Sequence, residues 1–289
     1  MSSDTTSLML HSTTDNAPAA STIAVSVVVP LFNERECVDS LVASLAKVER
    51  ELGDRYEFEF LLVDDGSSDG TVGLLQAAVG DRDGYRLIEH GTNRGIAAAI
   101  GTGIQAASHE VVVSMDCDGS YDPLLMGELI PHLTAGVDLV TASPYHRAGG
   151  VENVPLWRLR LSRLASQLYG LACRRKLSCY TSCFRVYRRS AVVDIELENQ
   201  RFVGVAELLC KVLQQRGAIV EHPALLRSRV AGHSKMRVVR ASLGHLRLIS
   251  KVLADRCRTP ATSAAHRRQL AANESCDSVT ESSPTARLV

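Results

Sequence analysis

The sequence predicts an α/β fold in which one mostly parallel sheet carries helices on both faces, within a single domain. Short apolar, β-branched runs alternate with segments whose apolar residues recur at helical spacing, which implies right-handed crossovers between parallel strands. The chain has 289 residues, enough for a full core. Polar clusters follow successive apolar runs, at the strand carboxyl ends where such sheets bind ligands.

The run AVSVVVP (24–30) reads as a buried strand, and Val38, Leu41, Val42, Leu45, Val48 and Leu52 then mark a helix. YEFEFLLVDD (56–65) begins with apolar/acid alternation and ends as a buried strand. A helix around 70–79, strand YRLIEH (85–90) and the Ala-rich helix RGIAAAIGTGIQAAS follow. Strand EVVVSMD (110–116), a helix around 122–135 and strand VDLVTAS (137–143) complete the alternation. Residues 1–22 and 257–289 are polar, rich in Ser and Thr and without period, so they read as disordered tails around a domain spanning 23–256.

Four polar clusters converge on one edge: Asn33-Glu34, Asp64-Asp65, Asn93-Arg94, and the pair Asp116 and Asp118. The Gly-rich fingerprints of dinucleotide folds and P-loops are missing after the first strand. Two acids one residue apart repel each other, and burial raises their pKa values, so a cation belongs between them. Mg²⁺ or Mn²⁺ suits that arrangement, because such ions take one or two carboxylates and complete their shell with phosphate oxygens and water. Asp122-Pro123 instead reads as the cap and first residue of the next helix.

Charge and composition narrow the partners. Lys+Arg and Asp+Glu are both 32, so no overall field points to nucleic acid. Between Arg227 and Arg258, nine basic residues face one acid, Asp255, which reads either as a solvated helix face or as a membrane-surface segment. The eight cysteines include no CxxC pair, and the Cys179/Cys183 spacing is poor for zinc. The N-terminal segment has no apolar signal region, which predicts free thiols in a reducing cytosol. The stretch MRVVRASLGHLRLISKVLA is interrupted by Arg237, Arg240, His245, Arg247 and Lys251, so it does not span a bilayer.

Seven segments in order, VVVPLFNERE, LLVDDGSSDGT, NRGIAAAIGTGI, MDCDGSYDP, GGVENVPLWRLRLSRL, TSCFRVYRRSAV and RSRVAGHSK, carry a family resemblance over about residues 24–250. The chain resembles inverting family-2 glycosyltransferases of the Rossmann-like GT-A fold. The later segments resemble the branch containing dolichyl-phosphate mannosyltransferase and polyprenyl-phosphate glycosyltransferases. The resemblance implies that Pro30, Phe32, Glu34, Val63, Asp65 and Cys117 hold the nucleotide sugar, with Phe32 in place of the usual Tyr, while Asp64 supports its loop. It implies that Asp116 and Asp118 bind metal with Ser120, and that Arg229 and Lys235 close on the diphosphate. Arg158 and Ser162 match positions that bind an acceptor phosphate, and their i,i+4 spacing sets both on one helix face.

The pattern is broken in three places. Pro144 replaces a phosphate-binding Arg, for which Arg147 is a nearby substitute; Cys179 and Cys183 replace an Asp and a Gly; and His233 replaces a Glu. An acceptor phosphate is already anionic and needs little general-base help, whereas an alcohol needs a placed carboxylate. The resemblance thus implies transfer of a hexose from GDP-mannose or a UDP-sugar to a polyprenyl or dolichyl phosphate, with inversion. Two alternatives stay open: transfer to a hydroxyl acceptor, and a non-catalytic nucleotide-sugar sensor. The expected location is the cytoplasmic face of a membrane, held peripherally through helices about 155–172 and 236–254.

Overall fold

The computed structural model describes residues 22–229 and 238–258. The two predicted tails, apart from Thr22, Cys257 and Arg258, lie outside the described residues, as do His233 and Lys235.

Four βα steps build the first half. β1 (Ile23–Leu31) leads through a 3₁₀ turn to α1 (Val38–Leu52), and β2 (Tyr56–Asp64) leads to α2 (Thr71–Val79). β3 (Tyr85–Glu89) then precedes α3 (Ile96–Ala106), and β4 (Val111–Ser114) ends at the predicted acidic loop. The helix expected around 122–135 is broken into two 3₁₀ turns flanking α4 (Met126–Leu129). Pro131 explains the break, since it has no N–H to continue the ladder. Asp122 caps the first turn by accepting from the Leu124 N–H at 3.0 Å, with Pro123 next, as expected.

The second half adds β5 (Leu139–Ser143), β6 (Gly150–Glu152), α5 (Leu156–Cys173), β7 (Arg185–Arg188) and α6 (Arg189–Val192). It closes with α7 (Phe202–Gln214), β8 (Ile219–Pro223), β9 (Leu225–Arg227) and α8 (Val238–Arg258). The main sheet has seven strands in the order β3-β2-β1-β4-β7-β5-β8, and β6 pairs with β9 in a small second sheet. All main-sheet pairings are parallel except those of β7, which runs antiparallel to β4 and β5. β7 hides from hydropathy because Arg185 and Arg188 bracket its apolar pair. Its fully buried Arg185 donates to the Val205 and Tyr180 carbonyls at 2.6 and 2.9 Å.

Side-chain alternation along β1 splits the core. Val25, Val27 and Val29 face α1, α2 and α4, while Val28 faces the layer of α3, α5, α7 and α8. Each such fully buried side chain contributes about 1.5–3 kcal/mol. The edge where β1, β2, β3 and β4 end is shaped by two glycines. Gly66 has φ +77° and packs on the Thr92 backbone, and Gly95 has φ +116° against the Gln200 carbonyl. A side chain at either position would separate the loops that carry the predicted site.

Candidate active site

The loops after β1 and β2 are fastened together by main-chain donors. The Asn33 N–H donates to Ser67 Oγ at 2.8 Å, and the Ser68 N–H returns to Asn33 Oδ1 at 2.7 Å. The Glu34 and Arg35 N–H groups donate to Thr71 Oγ1 and Asp69 Oδ2 at 3.0 and 3.1 Å. Asn33 takes a left-handed φ of 52°, which turns Glu34 inward to burial.

Both acids at the end of β2 are buried and bound to backbone. Asp64 Oδ2 accepts from the Gly66 and Ser67 N–H groups at 3.0 and 2.8 Å, while its Oδ1 has no partner. Asp65 accepts from the Arg94 and Gly95 N–H groups at 2.8 and 2.7 Å. It also meets His90 Nδ1 at 2.8 Å, and the other ring nitrogen of His90 lies 2.9 Å from Thr102 Oγ1. Both acids therefore hold loops, and Asp64 Oδ1 is the oxygen left open. Pro30 and Val63 are register partners in the strands beneath, and Phe32 is half-buried beside Asn33.

The acidic loop after β4 meets a cation from the far end of the chain. Arg229 Nε donates to Asp118 Oδ2 at 2.9 Å, and Nη1 reaches Glu34 Oε1 at 3.4 Å. Burial disfavours the guanidinium charge, but Asp118 and Glu34 outweigh it and raise the Arg229 pKa. Asp118 Oδ1 accepts from the Ser120 N–H at 3.0 Å across Gly119, and the Ser120 carbonyl is held by the Arg227 N–H at 2.8 Å. Asp116 is less well compensated. Burial and the charge of Asp118 push its carboxyl up to about 7, against the pull of Arg229. Cys117, between them, is buried, and burial raises its thiol well above the ordinary value.

Among the described residues, no group of three or more His, Cys, Asp or Glu side chains is arranged to hold a metal. Two hard carboxylates short of positive charge nevertheless fit Mg²⁺ or Mn²⁺, which need few protein ligands when diphosphate oxygens fill the shell.

A second group of polar residues joins this loop to α5. Ser114 Oγ, at the end of β4, donates to the Cys183 carbonyl at 2.5 Å. Two residues earlier, Thr181 Oγ1 lies 2.8 Å from Ser162 Oγ on α5. Glu221 of β8 fastens the start of the same segment, accepting from the Ser178 and Cys179 N–H groups at 2.8 and 3.0 Å. Arg158, one turn before Ser162, lies over the Trp157 ring at 5.4 Å. Arg147 lines an open cleft of about 360 Å³ with Tyr145, Lys176 and Glu221.

Of the predicted residues, Glu34, Asp116, Cys117, Asp118, Ser120 and Arg229 come together, and Arg158 and Ser162 share α5. Arg229 engages the acids themselves here. His90, Thr181 and Glu221 escaped the sequence reading. His90 ends an apolar run on the same edge as the acids, and that placement is the signal that could have found it.

The chain matches the family described as glycosyl transferase family 2 over residues 26–195. It is 29% identical over 229 residues to the polyprenol monophosphomannose synthase of Mycolicibacterium smegmatis, covering 77% of this chain and 84% of that protein. It is also 29% identical over 215 residues to the dolichol-phosphate mannosyltransferase of Pyrococcus furiosus, covering 74% of this chain but 59% of that longer protein. The fold is that of the glucosyl-3-phosphoglycerate synthase of Mycobacterium tuberculosis, solved with Mn²⁺, UDP and glucosyl-3-phosphoglycerate, at TM-score 0.60 and 21% identity, covering 82% and 81% of the two chains. The chain belongs to glycosyl transferase family 2 and has the GT-A fold.

Proposed function

We propose that this glycosyltransferase moves a hexose from a nucleotide diphosphate sugar to a polyprenyl phosphate, with inversion and with a divalent metal. The observation that supports the reading is the connection from β4, which leads into the Asp116/Asp118 loop, through the Cys183 carbonyl and Thr181 to Ser162. In this reading one segment joins the diphosphate site to the acceptor helix. The names of the two curated relatives supply the acceptor class.

In this reading Pro30, Phe32, Glu34, Val63 and Asp65 hold the nucleoside end, with Cys117 beside it. Asp116 and Asp118, with Ser120 next to them, hold Mg²⁺ or Mn²⁺, a Lewis acid for charge on the departing diphosphate. Arg229 exchanges its carboxylate partners for the diphosphate when donor binds, and Lys235 joins it. Their charge-assisted bonds strengthen as the leaving group gains charge. Arg158 and Ser162 orient the acceptor phosphate for in-line attack on C1. The phosphate is its own nucleophile, so the protein contributes position and charge.

The lipid chain requires access to a bilayer, and two packed helices offer it. Leu156, Trp157, Leu161, Leu164 and Leu171 form an exposed stripe on α5, with Leu171 72% exposed. Val239, Leu243, Leu246 and Leu253 form another on α8, with Val239 76% exposed. The opposite stripes are buried, and Tyr169 of α5 meets His245 of α8 at 2.8 Å. Exposed apolar stripes flanked by Arg160, Arg163, Arg240, Arg247 and Lys251 suit peripheral docking. No helix among the described residues is long and apolar enough to cross a membrane.

A hydroxyl acceptor is the second reading, favoured by Pro144 and Cys179, which stand where the resemblance expects a phosphate-binding Arg and an Asp. Incubating the protein with labelled GDP-mannose or UDP-hexoses and Mn²⁺ tests both readings. Label in a polyprenyl phosphate supports the first. Label only in an alcohol or glycerate acceptor replaces it with the second.

A further inference from the structure

α5 ends on Cys173, whose Sγ lies 3.5 Å from Sγ of Cys210 on α7. Both thiols are free, and the loop they would close spans a sequence separation of 37 residues. We propose that Cys173 and Cys210 are a redox-active pair, a modification site that a peroxide closes to an intramolecular disulfide, fixing the end of α5 to α7.

Three features set this pair apart. The two sulfurs sit on facing helices, already 3.5 Å apart against a bond length of about 2 Å. Cys173 is half-buried, while Cys37, Cys117, Cys179, Cys183 and Cys210 are buried. A small oxidant therefore reaches Cys173 first among these six cysteines. Its chemistry agrees: Cys173 donates to Cys210 while both are protonated, and their contact lowers the Cys173 pKa and raises that of Cys210 well above the ordinary value. Once Cys173 has lost its proton, the Cys210 S–H is the donor that remains, and the thiolate is the reacting form.

The steps balance. The Cys173 thiolate attacks one peroxide oxygen, the O–O bond breaks, and Cys173 becomes a sulfenic acid as hydroxide leaves. The Cys210 sulfur then attacks the Cys173 sulfur, the S–O bond breaks, and the hydroxyl departs as water with the Cys210 proton. Two thiols are oxidised and one hydrogen peroxide is reduced to two waters. The consequence lies at the last turn of α5. That turn is also held by Arg256 Nη1 on the Ala172 carbonyl at 3.2 Å and by the Tyr180 hydroxyl on the Arg175 carbonyl at 2.7 Å. A disulfide adds a covalent tie to a helix that presents the apolar stripe.

Trypsin makes the pair easy to read, because peptides 164–174 and 202–211 each contain one cysteine. The full-length protein, treated with hydrogen peroxide and digested without reductant, is expected to yield these two peptides cross-linked, with both restored by dithiothreitol. Its melting temperature should rise on oxidation, since the closed loop restricts the unfolded chain. In Cys210→Ser the second step is blocked, so dimedone should label Cys173 as a sulfenic acid. Cys173 recovered alkylated and unoxidised, or paired with any other cysteine, would overturn the proposal. So would a Cys210→Ser protein that dimedone leaves unlabelled. The readout is covalent, so it stands or falls independently of which sugar or acceptor the enzyme uses.

Discussion

The two halves of the site are built by opposite means. On the side we assign to the donor, short loops at the ends of β1, β2 and β4 use carboxylates and hydroxyls to collect backbone N–H groups, and the resulting cluster is buried around Arg229. On the side we assign to the acceptor, two long helices pack through one stripe and expose another, with isolated polar contacts such as Ser162–Thr181. The first arrangement gives a stiff, charged receptacle for a ligand of fixed shape. The second gives a surface that tolerates a long apolar chain. Substitutions should therefore act sharply on the donor side and gradually on the acceptor side.

The largest expected effect is on the acidic loop. Asp118→Asn and Asp116→Asn should each abolish transfer, measured with labelled donor, while circular dichroism and melting temperature stay near those of the native chain. EDTA should have the same effect, reversed by Mn²⁺. Full activity in EDTA would remove the metal from the mechanism.

The same contrast decides how much was legible in the sequence. Asp116/Asp118 and Asp64-Asp65 stand in short local motifs at the ends of apolar runs, so their convergence followed from a parallel sheet. Division of labour within Asp64-Asp65 was harder. Strand alternation points the two side chains to opposite faces, and that geometry gives Asp65 to the Arg94–Gly95 loop and to His90. On the acceptor side, Thr181 and Glu221 work from β7 and β8 neighbours whose short runs are bounded by Arg, His and Pro. Hydrophobic period cannot find such strands, because their polar residues are buried against tertiary partners, as Arg185 is with Nη1 and Nη2 on two carbonyls. Two candidate surface helices, about 155–172 and 236–254, were legible, but which of their leucines face core or solvent required the packing.

Acid should loosen the acceptor side through His245. Burial holds the imidazole pKa down to about 4, well below its ordinary 6.5, so it is neutral against Tyr169. The unfolded chain takes a proton as pH falls through 6.5, and the folded chain does so only near 4. The contribution is thus intact above pH 6.5, fades between 6.5 and 4, and is fully lost below. From pH 7 to 5 the loss is about 2 kcal/mol. Urea titrations at both pH values should show His245→Asn losing less stability over that interval than the native protein, and equal losses would free His245 from this role.

Arg229 tests the donor side with a comparable or smaller effect. Arg229→Ala removes two charge-assisted contacts and should weaken donor binding or kcat/KM by about 1.5–3 kcal/mol. KM for the acceptor should stay constant if the two halves are as separate as their construction suggests. A change confined to the acceptor KM would instead mean that this arginine serves the other half.

The smallest effects belong to single charges on α8. Arg240, Arg247 and Lys251 are exposed beside the outward stripe of Val239, Leu243 and Leu246. A cation near an anionic leaflet contributes about 1 kcal/mol, so neutralising one should weaken vesicle binding about fivefold. Lys251 is held in an ion pair with Glu198, so its loss should cost less than that of Arg240 or Arg247. Sedimentation with phosphatidylserine-containing vesicles at low and high salt separates charge from insertion. High salt should release the part that the arginines hold, while Leu243→Ser and Leu246→Ser should remove the part that salt leaves bound. Transfer from donor to water should be unchanged in all of these variants, because none touches the cluster around Asp118. If the native protein stays in the supernatant at low salt, the outward stripes face something other than a membrane. A polyprenyl phosphate acceptor would then have no physical route to Ser162.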